Sequence, residues 1–113
     1  MHELGLCDAM LKMVRRIAKE NELTVINSVT VEVGSLSGVV PRFLEDCWQA
    51  VTDGTELADT ALIVEYTEGE ARCLECGAQF VADLERLVCP ECGGSMLTPV
   101  SGRDMTIKEI LAE

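Results

Sequence analysis

Four cysteines stand in two matched pairs, Cys73-Leu-Glu-Cys76 and Cys89-Pro-Glu-Cys92, with twelve residues between them. Each Cys-x-x-Cys turn brings two sulfurs to one side of a tight loop, and Gly77 and Gly93 directly follow the pairs. Glycine there lets the backbone take positive φ and aim amide N–H groups at thiolates. Four thiolates in a tetrahedron suit Zn²⁺, which imposes no geometry of its own. With every position filled by protein, such a site has no room for water or substrate. The spacing therefore predicts a structural zinc ion on Cys73, Cys76, Cys89 and Cys92. Zinc binding in small peptides is worth roughly 10–16 kcal/mol, enough to hold a segment with little core. A redox site would need one reactive pair at a helix N-terminus rather than two symmetric pairs. A mononuclear iron site shares the donor set, and spacing does not separate it from zinc.

His2 is the sole histidine. A terminal histidine is ordinarily a bystander, but its neighbours give this one chelating chemistry. A bulky second residue hinders removal of Met1. The α-amine of Met1 and the amide and imidazole of His2 would then close fused chelate rings. The Glu3 amide would complete a square-planar nitrogen set, which favours Ni(II) or Cu(II) over zinc. Amine and imidazole must lose protons before metal enters, so such a site is pH-dependent.

Other candidates have plainer readings. Cys7 and Cys47 fall on apolar faces of expected helices and read as buried, inert thiols. Cys7, near His2, is the alternative soft ligand. Met10, Met13, Met96 and Met105 include one residue on a helical core face and one alternating in a strand, so core filling is preferred to a thioether copper set. The carboxylates, among them Glu20, Glu45, Asp46 and Glu65, form a solvated face, with none paired to a nucleophile or base. No catalytic activity is expected.

These residues need elements to position them. Leu4 to Asn21 carries Cys7, Met10, Leu11, Val14, Ile17 and Ala18 at helical spacing. Val29, Val31 and Val33 alternate as a half-buried strand ending at Gly34. Pro41 can open a second helix at no cost in hydrogen bonds, with Phe43, Leu44, Cys47, Trp48 and Val51 on one face and Gly54 as the stop. Thr60–Thr67 reads as a strand. Gly69–Val100 has too little apolar mass for its own core, and Gly102 opens a last strand through Met105 and Ile107. The predicted fold is α+β: two helices on one face of a three-stranded sheet, with a Cys₄ zinc-ribbon-like module inserted. Residues 1–69 and 101–113 would form the α/β domain and 70–100 the zinc module.

Composition bounds the function. At 113 residues and 48% hydrophobic, the chain can pack one small core. Its net charge of −11 repels phosphate backbones, so nucleic acid is not an expected partner. No apolar run approaches the ~18 residues of a membrane span. No secretory signal is seen, and paired cysteines without one favour a reducing cytoplasm and metal over disulfides.

Several segments together carry a more specific likeness. Met1-His2-Glu3-Leu4, Gly34-x-Leu36-Ser37-Gly38-Val39-x-Pro41, the four-cysteine module and Gly102-Arg103-x-Met105-x-Ile107-x-x-Ile110 resemble the HypA/HybF family of nickel-delivery factors for NiFe-hydrogenase maturation. The likeness spans essentially the whole chain. It implies a metallochaperone that binds Ni²⁺ at its N-terminus through His2, assisted by backbone nitrogens of Met1 and Glu3, and delivers it to the hydrogenase large subunit. It also implies a supporting zinc module, docking to a HypB-like GTPase, and for some relatives a role in urease assembly. Some relatives place an acidic side chain near position 40, where this chain has Val40, and the ending Leu111-Ala112-Glu113 is less acidic than is common in the family. Without the resemblance, the alternative is a zinc-ribbon adaptor contacting proteins or nucleic acid.

Overall fold

Apolar side chains at helical spacing start the chain as α1, His2–Glu20, which buries Cys7, Met10, Leu11 and Val14 on one face. A computed structural model describes residues 2–113, with the side chain of His2 outside the described set. On the solvent face Lys12 pairs with Asp8 one turn away at 3.1 Å. Asn21 ends the helix as expected, its side-chain amide donating to the Ile17 carbonyl at 2.9 Å.

Strand β1, Ile26–Gly34, lies at the centre of the first, three-stranded sheet. Helix α2, Pro41–Thr52, begins on its proline and makes the crossover to β2, Ala61–Thr67, which runs parallel to β1. β6, Met105–Ala112, returns antiparallel on the other side. The register puts Leu62 and Ile110 beside Val29, and Val64 and Ile107 beside Val31. These side chains share a face with fully buried Val29, Val31 and Val33, and both helices close over it, α2 with Leu44 and Trp48. The Trp48 indole N–H donates to the Thr60 carbonyl at 3.1 Å and fixes α2 to the start of β2. On the opposite face Lys108 of β6 reaches Glu65 of β2 at 2.7 Å.

A second, antiparallel sheet is built from β3 (Glu70–Cys73), β4 (Gln79–Val81) and β5 (Leu97–Pro99), in the order β4-β3-β5. The architecture is the expected α+β arrangement of two helices on a three-stranded sheet with an inserted cysteine module. One boundary differs. The last strand begins at Met105 rather than Gly102, because Gly102 takes φ +75 where the chain crosses between the sheets. At that crossing Leu36 donates its amide to the Gly102 carbonyl and Gly34 to that of Asp104, at 2.8 and 3.1 Å. A side chain on Gly34 would collide with the Gly102 backbone, and one on Gly102 with that of Gly69. Three glycines thus let two chain crossings and the 34–38 turn meet in contact. Among the described residues, no helix is long and apolar enough to cross a membrane.

Candidate metal centre

Strand β3 ends on Cys73, and the chain turns at once. Gly77 donates to the Cys73 carbonyl at 2.9 Å, and the Cys73 amide donates to the Ala78 carbonyl at 2.8 Å. The second turn repeats the pattern: Gly93 donates to the Cys89 carbonyl and Cys89 to that of Gly94, both at 2.8 Å. Gly77 and Gly93 sit at φ +80 and +74, the left-handed conformation anticipated after each pair. The two turns face one another, and the four sulfurs lie within 4.8 Å of one another.

The spacing of the sulfurs tests the fit to zinc. Four sulfurs each about 2.3 Å from a tetrahedral Zn²⁺ stand about 3.8 Å apart. Cys73 and Cys92 are 3.6 Å apart, and Cys76 and Cys89 are 3.5 Å apart. Both separations are near the tetrahedral edge and far beyond the ~2.05 Å of a disulfide. Cys73 and Cys89 are buried, whereas Cys76 and Cys92 face solvent. The donor set is closed and suits structural zinc.

Without a cation the cluster is electrostatically uneven. The Cys76 amide, aided by that of Glu75, favours the Cys73 thiolate over the cost of burial and lowers Cys73 to about 7. The Glu75 N–H lies 3.4 Å from the Cys73 sulfur. At Cys92 the Gly94 amide favours ionisation, but neighbouring Cys73, burial and the other two thiols outweigh it and push Cys92 up to about 12. At Cys76 the Ala78 amide is likewise outweighed, chiefly by Cys89 and burial, and the thiol is raised. Four thiolates repel one another, and a divalent cation removes that penalty.

The other expected residues are spread differently. Met1 and the His2 imidazole lie outside the described residues; the backbone of His2 opens α1. Glu3 is only 7% exposed, and its carboxylate lies 3.5 Å from the Val40 amide. The family resemblance places Glu3 at the nickel end and at partner contact, beyond the use of its backbone amide. Its side chain was legible too, since Glu3, Cys7, Met10 and Val14 follow one another at helical spacing. Val40 is 40% exposed. Cys7 is fully buried and its thiol donates to the Leu44 carbonyl at 3.3 Å, while Cys47 is half-buried. Burial, then Cys47 and Glu3, push the Cys7 thiol up to about 12, so it is protonated and inert at neutral pH. Met10 and Met105 pack in the core, whereas Met13 on α1 and Met96 in the loop before β5 are exposed. Two of these four methionines fill the core and two face solvent, so the set as a whole is not gathered at one site.

Residues 1–112 match the family described as "Hydrogenase/urease nickel incorporation, metallochaperone, hypA". The chain belongs to the HypA family. A hydrogenase maturation factor HypA of Streptomyces avermitilis is 36% identical over 112 residues, covering 97% of this chain and 86% of that protein. The HypA of Bradyrhizobium sp. (strain ORS 278) is 34% identical over the full length of both chains, 100% of each. The HypA of Aquifex aeolicus is 31% identical, covering 100% of this chain and 98% of its own. Among solved structures, that of the Ni metallochaperone HypA from Helicobacter pylori superposes with a TM-score of 0.68 at 19% identity, over 97% of this chain and 96% of that one. At that identity the likeness speaks for the HypA fold, and the curated relatives speak for the family. HypA proteins are nickel metallochaperones for hydrogenase maturation, the family expected from the sequence.

Proposed function

We propose that this chain carries Ni(II) at its amino end and delivers it to the large subunit of a NiFe-hydrogenase, with a HypB-like GTPase as its docking partner. The match to a nickel-incorporation family over residues 1–112 carries this reading. The sulfur site is closed, so nickel destined for release needs a different and more open set of ligands. The amine of Met1, the amide and imidazole of His2 and the amide of Glu3 provide one. Because α1 opens at His2, these amides belong to a first turn whose N–H groups have no intrahelical acceptor, and recruiting them breaks no helical hydrogen bond.

In this reading Cys73, Cys76, Cys89 and Cys92 hold zinc that shapes residues 70–100, and residues 1–69 with 101–113 form the nickel-binding domain. The chain acts in the cytoplasm, performs no catalysis and has no use for nucleic acid, in keeping with its charge of −11.

The test is metal analysis of untagged, zinc-loaded protein titrated with Ni(II) at neutral pH. One nickel per chain is expected, with zinc unchanged. His2→Ala, or any extension that converts the Met1 amine into a peptide bond, is expected to abolish nickel uptake and spare zinc. Wild-type nickel affinity in both would overturn the reading.

A further inference from the structure

The turn between β1 and α2, the end of β2 and the loop after β4 enclose two adjoining hollows of about 380 and 340 Å³, which share Ser35, Tyr66 and Leu84. Their walls are apolar and accessible: Val40 is 40% exposed, Tyr66 52%, and Val81 and Leu84 53% each. Large apolar side chains left side by side in water mark a surface that another molecule covers. The rim is of one sign. Glu68, Asp83 and Glu85 line it, and no lysine or arginine does. None of the three is in an ion pair among the described residues. Arg86, the nearest cation in sequence, lines an adjoining hollow against Cys89 and Pro90, which meets the groove at Val81 and Asp83.

The groove also has a direction. One end is Val39, Val40 and Pro41, and the Val40 amide lies 3.5 Å from the carboxylate of Glu3 in the first turn of α1. The other end is Val81 and Asp83, beside the cysteine module. A chain lying along the groove would end at the terminus assigned above to nickel.

We infer that this groove docks an extended peptide segment of the metal-receiving protein, in which bulky apolar residues are flanked by lysine or arginine. The proposal rests on the carrier reading for the source of that segment. The apolar walls take its side chains, the acidic rim its cations, and binding holds the receiver beside the nickel ligands, so that transfer becomes effectively intramolecular. Anionic partners are repelled by the same rim.

The probe is a fluorescein-labelled peptide with a Leu-Phe-Leu centre flanked by lysine and arginine, beside a twin with glutamate at every flanking position. Fluorescence anisotropy is read on full-length, zinc-loaded protein. The cationic peptide is expected to bind, and Tyr66→Ser or Leu84→Ser to weaken it by about tenfold. Glu68→Lys with Glu85→Lys, two rim carboxylates, should weaken it comparably and instead admit the acidic twin. This swap leaves the walls intact and keeps the test decisive should a serine variant fold poorly. Glu20→Lys with Glu22→Lys makes the same charge change beyond the far end of α1, roughly 27 Å of helix away, and should leave binding near wild type. No binding of the cationic peptide, or equal loss from the rim and far-end variants, overturns the groove. Nickel uptake is read on the same samples. If wild-type protein takes up no nickel while the groove pattern holds, the carrier reading fails alone; if nickel binds normally and the pattern is absent, the groove fails alone.

Discussion

Cys7 and Cys73 carry the same thiol and opposite chemistry, because their surroundings differ. Cys73 ends a strand in a turn whose amides point at its sulfur, while Cys7 is sealed between two helices with the Leu44 carbonyl as acceptor. The folded chain holds the Cys7 proton more tightly than the unfolded one, with a value raised from 9.0 to about 12 by burial, Cys47 and Glu3. The stability this supplies is complete below pH 9 and drains away as pH rises from 9 through about 12. Cys7→Ala is expected to cost about 1 kcal/mol at neutral pH, from lost packing. Between pH 9 and 12 the gap between variant and wild type should close and then change sign, as judged by urea midpoints of zinc-loaded samples. A gap that stays constant would show that Cys7 does not titrate in the folded chain. His2 is the opposite case at this scale. Its value to the reading comes from the chelate proposed above and from a family match over residues 1–112.

At the scale of elements, what the sequence disclosed depended on length and periodicity. The nineteen residues of α1 and the nine of β1 carry enough apolar repeats to be read within a few residues of their observed ends. Pro41 marked the first residue of α2 correctly, since its ring and missing N–H fit that position. The small sheet of β3, β4 and β5 was not foreseen, because strands of three or four residues show no period and its pairings are held by turns on either side of the cysteines. The convergence of the four cysteines was legible from spacing alone, whereas the contact of Glu3 with Val40 needs the fold to bring position 3 to position 40. The glycine junction was hidden for the same reason. Gly34, Gly69 and Gly102 are far apart in sequence; tertiary contact explains why the first two lack a side chain, and at Gly102 it adds to the demand of φ +75. Gly34→Ala forces a Cβ into the Gly102 backbone and is expected to destabilise the chain by about 2 kcal/mol, measured by chemical denaturation with zinc bound. Gly38→Ala meets no neighbouring atom and bears only the strain of φ +79, about 1 kcal/mol. If the two variants cost the same, the junction is looser than its contacts indicate.

The whole molecule is elongated, 54 × 25 × 16 Å, with a radius of gyration of 17.3 Å where a compact chain of this length has about 13 Å. The reason is an uneven distribution of apolar mass. The hydrophobic cluster draws on α1, α2 and the first sheet, whereas the buried apolar residues of the segment between Gly69 and Val100 are Ala71, Cys73, Ala82 and Cys89. Two alanines and two metal-ligand candidates do not make a core, so this end should depend on metal and the other should not. Removing zinc with a strong chelator is expected to melt β3, β4 and β5 and to speed their amide exchange, leaving the first sheet folded. Trp48, the only tryptophan, supplies the control: its indole is 3% exposed and bonded to Thr60, so its emission reports the first core alone. Acid should act as a milder chelator. Cys76 and Cys92 hold protons more tightly than ordinary thiols when no cation is present, so zinc must compete with those protons and its affinity falls as pH falls. A chromogenic zinc indicator followed down the pH scale should therefore register release while Trp48 emission still reports a buried indole. Loss of zinc and a red shift of Trp48 in a single step would mean that the two ends unfold as one, and that the glycine junction carries cohesion as well as connection.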